Sequence, residues 1–97
     1  MDDKKARFEV GKILFTYGVN ARVSGDESFA RFVLHCLRRH ATGDWGDLGE
    51  QDKRENEYSL GKYLRIFSSY NHQNDERVWI ITEADRRSTT VLFPSEY

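Results

Sequence analysis

The run His40-Ala-Thr-Gly-Asp-Trp-Gly46 places an imidazole, a carboxylate and an indole beside two glycines. An imidazole near a carboxylate is the pairing that general acid–base chemistry or metal ligation would use, and glycine gives a loop the backbone angles to aim such groups. Ligation fits the spacing poorly, because His35 and His40 stand five residues apart, off a common helical face, while Cys36 lies on an apolar stripe. No metal site is expected. The reading favoured by the spacing is a structural joint. In it His40 closes a helix as a protonated imidazole over the last carbonyls, Asp44 bonds turn amides, and Gly43 and Gly46 shape the turn.

Glu83 and Asp85 are a second acid–base pairing, sharing one face if their strand continues. Asp85-Arg-Arg-Ser88 is also ordinary turn chemistry, and Glu83 is expected to pair with Arg65 or Arg86. Ser68, Ser69, Thr89 and Thr90 are nucleophile types within predicted strands, without a motif that would expose and activate one. No catalytic residue is expected. Nor is a cofactor, since no glycine-rich strand-to-helix fingerprint is present.

Binding chemistry is better represented. Trp45 and Trp79 are the expected aromatic anchors for a protein partner, Glu50, Asp52 and Glu55 offer charge complementarity to a basic one, and Arg86 offers a polar rim contact. The alternative is a nucleic-acid interface on the helix face carrying Arg31, Arg38 and Arg39, which the neighbouring acids from Asp44 to Glu57 interrupt. Fifteen basic against sixteen acidic side chains give a net charge of −1, which supplies no field to draw the chain onto DNA or an anionic membrane.

The elements that must position these residues follow from periodicity. Phe8 to Phe15 reads as a first strand ended by Tyr17-Gly18, and Val19 to Val23 fits no template and is left as loop or a short turn. Ser24 and Glu27 have the spacing of a capping box. The helix that follows carries Phe29, Phe32, Val33, Cys36, Leu37 and His40 at i, i+3, i+4, i+7 positions and ends in a basic turn. Asp47 and Glu50 repeat the cap spacing before a polar second helix over Gln51 to Leu60, held by little apolar surface beyond Leu48, Tyr58 and Leu60, so Trp45 is expected to help pin it. Strands over Leu64–Tyr70, Val78–Thr82 and Thr89–Phe93 then form a meander.

The sum is one 97-residue α+β domain, an antiparallel sheet of about four strands with two helices packed on one face. Aromatic and aliphatic residues alternate onto both faces of the sheet. Either the two short helices leave one face uncovered, available to a protein partner or to a second copy in a homodimer, or the Val19 to Ser28 loop and the helices wrap enough of the sheet. Cys36, alone, is expected as a buried thiol. The charged Met1–Lys5 start leads into no apolar signal core and no run is long enough to span a membrane, so a cytoplasmic, membrane-free protein is expected.

Several motifs extend along the chain: Gly11 with Ile13; His40 with Gly43-Asp44-Trp45-Gly46; Asp52 and Asn56; Arg65 with Ser68 and Tyr70. Trp79-Ile-Ile-Thr-Glu-Ala-Asp-Arg86 is the strongest, followed by Thr89-Thr90, Leu92, Pro94 and Glu96-Tyr97. Through these, from Phe8 to Tyr97, the chain resembles a family of small bacterial "plasmid-related" proteins of mobile elements, some labelled as restriction-modification subunits. It departs at Tyr63 and Asp75, where that family often carries glycine, and over Val19 to Ser28. The resemblance implies a shared fold and mobile-element carriage but transfers no activity, and the chain is too short for a methyltransferase domain. It suggests an interaction module that inhibits a host defence complex, of anti-CRISPR or anti-restriction type.

Overall fold

Thr16 starts the helical half of the protein by accepting a hydrogen bond from the Val19 amide, and the segment expected as loop is a helix, α1, over Tyr17–Gly25. Only Val19 of α1 is buried, with Val23 partly so, and that apolar stripe is too narrow to announce a helix in the sequence. Because Ser24 and Gly25 still belong to α1, the next helix, α2 (Glu27–Ala41), is capped by Asp26, whose carboxylate accepts from the Phe29 amide at 3.1 Å. Its expected stripe faces inward: Phe29, Val33, Cys36 and His40 are buried and Phe32 and Leu37 are partly so. Helix α3 (Glu50–Lys62) begins at Gly49 without a side-chain cap, since the Asp47 carboxylate is used elsewhere.

The structure, a computed structural model, describes residues 5–97. Its strands are β1 (Lys12–Phe15), β2 (Ile66–Asn71), β3 (Arg77–Thr82) and β4 (Ser88–Leu92), in the order β1-β4-β3-β2. The α+β class and the β2–β3–β4 meander are as expected. Two details differ: there are three helices, and the sheet is mixed, because β1 pairs parallel with β4. The first strand is also shorter than its alternation suggests. Residues 5–11 form a strap instead, ending at Gly11, whose φ of +65° and contact with the Arg87 carbonyl exclude a side chain.

Register assigns the two sheet faces. Ile66, Ser68, Tyr70, Val78, Ile80, Thr82, Thr89 and Val91 point toward the helices, and with Val19, Phe29, Val33 and Cys36 they build the buried centre of the molecule. Phe67, Trp79, Ile81, Thr90 and Leu92 point the other way, over a face that carries no helix-derived core residue. Tyr63 and Asp75 both have left-handed backbones, with φ of 52° and 60°.

Candidate functional site

The His40–Gly46 run is a helix terminus converted into a sheet edge. Thr42 caps α2, the Gly43 amide donates to the His40 carbonyl at 3.2 Å, and the Asp44 amide donates to the Arg39 carbonyl at 2.8 Å. This is a Schellman closure, and Gly43 holds its left-handed position at φ +88°. Asp44 then receives a fork of bonds from Arg39 and one from the Gly46 amide, while its carbonyl accepts from the Tyr70 hydroxyl at 2.7 Å.

Beyond that turn the loop runs along β2. Ser69 donates to the Trp45 carbonyl at 3.3 Å and accepts from the Asp47 amide at 2.7 Å, and the Asp47 carboxylate takes the Asn71 amide at 2.8 Å. At the middle of α3, Asn56 accepts from the Phe67 amide and donates to the Phe67 carbonyl at 3.2 and 2.6 Å, as a paired strand would. Loop and helix together thus occupy the outward backbone groups of Phe67, Ser69 and Asn71 and close an edge that would otherwise invite another strand.

His40 does not close its helix with a charge. The ring is fully buried, with Nδ1 2.5 Å from Ser68 Oγ and Nε2 2.8 Å from Thr82 Oγ1. The far end of this chain fixes its polarity. Thr89 donates to the Val10 carbonyl at 2.7 Å, so Thr82 donates to Thr89 at 2.6 Å and His40 Nε2–H donates to Thr82. Burial pushes the imidazole pKa down from 6.5 to about 3, which keeps the ring neutral with its proton on Nε2 and leaves Nδ1 to accept from Ser68. The rings of Phe8 and Trp45 pack edge-on against it at 5.3 and 6.0 Å. Hydroxyls at inward positions of three strands were the sequence signal for this relay, and nothing in their local pattern identified His40 as their shared partner.

Trp45, expected as a docking anchor, is buried at 4% exposure, and its Nε1–H donates to Glu57 on α3 at 3.0 Å. It therefore fastens α3 to the body and presents nothing to a partner. Arg7 forks onto the same Glu57 at 2.7 and 2.9 Å, and this guanidinium, with help from the indole, holds the carboxyl below the usual glutamate range. Arg86, expected at a binding rim, is also buried. Its guanidinium donates to the carbonyls of Leu64, Glu83, Ala84 and Ser59 at 2.7 to 3.2 Å and lies between the rings of Tyr63 and Phe8. These carbonyls, one from the last turn of α3, balance a buried cation that the sequence pattern placed at the surface.

Glu83 lies 3.5 Å from Arg65, whereas Asp85 accepts from the Arg87 amide, so the two carboxylates serve different partners. Among the described residues no group of three or more His, Cys, Asp or Glu side chains converges as a metal site would. Cys36 is buried, and desolvation pushes its thiol up to about 12. On the basic helix, Arg31 pairs with Glu27 at 3.1 Å and Arg39 is held by Asp44, so two of the three arginines singled out there carry an acidic partner.

The sheet face opposite the helices carries no helix; on it Ile81 and Leu92 are buried, and Phe67 and Trp79 are half-buried. Trp79 packs edge-to-face on Phe67 at 5.1 Å and on Tyr97 at 5.7 Å, and Arg65 donates to the Tyr97 hydroxyl at 3.2 Å. Together with Ile81 these side chains line a shallow recess of about 300 Å³. Lys12, Arg65 and Arg77 fall on this face by register, against Glu83. Glu50, Asp52 and Glu55 are exposed on α3 as expected, and no contact joins them to Trp79 among the described residues. Trp45 and Trp79 lie on opposite sides of the sheet, which rules out a single docking surface built on both. No helix among the described residues is long and apolar enough to cross a membrane. No family model, curated protein or solved structure matches the chain.

Proposed function

We propose that the protein is a non-enzymatic docking module whose open sheet face receives a protein segment carrying an apolar anchor beside a carboxylate. The observation that carries this reading is the recess lined by Phe67, Trp79, Ile81, Tyr97 and Arg65, apolar at its floor and cationic at its edge. An aliphatic or aromatic side chain would fill it, and a neighbouring carboxylate would meet Arg65, whose hold on Glu83 at 3.5 Å is loose and half exposed. The mutual edge-to-face packing of Phe67, Trp79 and Tyr97 favours this over nucleic acid, because these rings are engaged with one another and do not form parallel platforms for stacked bases. The resemblance to mobile-element proteins directs the search for the partner to host defence assemblies, CRISPR effectors and restriction enzymes first.

Immobilised wild-type protein is expected to capture its partner from that set. Trp79→Ala and Arg65→Glu should each weaken capture by about 10- to 100-fold while the fold survives. Capture that is indifferent to both substitutions in folded protein would refute the proposed face. Salt-sensitive binding of single-stranded DNA that depends on Trp79 would transfer the face to the nucleic-acid reading.

A further inference from the structure

The two edges of the sheet are treated in opposite ways. The β2 edge is closed by Asn56, Trp45 and Asp47, as described above. At the other edge, the Lys12 amide donates to the Arg87 carbonyl and the Thr16 amide to the Val91 carbonyl. In a strand, backbone direction alternates, so Lys12, Leu14 and Thr16 turn toward β4 while Ile13 and Phe15 turn their N–H and C=O groups outward. Among the described residues none bonds to these outward groups.

The surface around this edge is largely apolar, its charges being Lys12 and Glu96, whose carboxylate is held by the Thr16 hydroxyl and the Gly18 amide. Ile13, Leu14, Phe15 and Tyr17 are exposed at 39%, 41%, 36% and 90%. From Ile13 to Gly25 the only charged residue is Arg22, in a chain where charged residues make up 32%. Arg22 is itself held by Glu76 and Asp26. Exposed edges are ordinarily protected by charge, proline or a bulge, and β1 has none of these beyond Lys12.

We propose that β1 pairs with β1 of a second copy, antiparallel about a two-fold axis at Leu14, to form a continuous eight-stranded sheet. The pattern is self-complementary in this register. Ile13 exchanges both backbone bonds with Phe15 of the second copy, Phe15 does so with the other Ile13, and Leu14 faces Leu14 across the axis. Lys12 then lies opposite Thr16, so no like charges meet. The exposed parts of Ile13, Leu14, Phe15 and Tyr17 amount to on the order of 800 Å² over two copies. The main chain of the paired strands adds to this and brings the interface toward the ~1,000 Å² that a specific, weak association needs. The axis is perpendicular to the sheet, so both aromatic recesses lie on the same side of the dimer.

Sedimentation of the full chain from ~1 to ~500 µM should show a monomer converting to a dimer with a dissociation constant on the order of 10 µM. Ile13→Pro removes an outward N–H and no bond to β4, so it should leave the circular dichroism unchanged and weaken the dimer at least tenfold. Leu14→Arg and Leu14→Glu should each be monomeric, and an equimolar mixture of the two should dimerise again. That rescue specifies the register and separates self-pairing from capture of a foreign strand. Amide exchange of wild-type Ile13 and Phe15 should slow as concentration rises. A single monomeric species across the range, a dimer indifferent to these substitutions, or exchange at Ile13 and Phe15 independent of concentration would each overturn the proposal.

Discussion

Lowering the pH from 7 to 5 is expected to remove about 2 kcal/mol of folding stability, with His40 as the responsible group. Its pKa falls from 6.5 to about 3 on burial, so between those values the unfolded chain binds a proton that the folded chain refuses. Stability is then fully present above pH 6.5 and declines at about 1.4 kcal/mol per pH unit below it. Roughly 1.5 of the two units from pH 7 to pH 5 lie below 6.5, which gives the figure of about 2 kcal/mol, a large part of the ~5–15 kcal/mol typical of a domain. The window lies above the range where carboxylates such as Glu57 and Glu96 begin to protonate, so the effect is separable from general acid unfolding. Urea denaturation at pH 7, 6 and 5 measures it directly. His40→Gln, which can still donate and accept, should be less stable at pH 7 but should lose most of the pH slope. The ring resonances of His40 should stay in their neutral positions down to pH 5. A wild-type stability flat between pH 7 and 5, a His40→Gln protein with the full slope, or a His40 ring that titrates near 6.5 would refute the neutral, buried relay.

Three further substitutions test the framework around it. Gly46→Ala forces a Cβ onto the Ser69 carbonyl at a backbone φ of +75° and should cost about 2–4 kcal/mol, read by thermal unfolding. Asn56→Ala leaves both outward groups of Phe67 unpaired and should cost about 2–3 kcal/mol, with faster amide exchange at Phe67 than at Ser69. Asp75→Gly relieves a left-handed residue in an exposed turn and should raise stability by about 0.5–1 kcal/mol; a loss of stability there would contradict the turn geometry.

The sequence by itself determined the α2 stripe, the β2–β3–β4 meander and the α+β class, because each is written in a short period that one element imposes on its own residues. It also placed Gly43 and Gly46 in a shaped turn. The Tyr17–Gly25 helix was illegible because its inward surface is essentially Val19 and Val23, too little for a periodic signal. The roles of the singled-out side chains were settled only in three dimensions. Trp45 and Trp79 look alike as sequence, yet one lies beneath the strap beside His40 and the other on the open face, because the loop carrying Trp45 pairs along β2 on the helix side. Arg86 is buried because a positive φ at its own position and the end of α3 bring four carbonyls around it, a long-range coincidence without local pattern. His40 became a neutral member of a hydroxyl relay for the same reason: Ser68, Thr82 and Thr89 are far from it in the chain, and only the register of three strands brings them together.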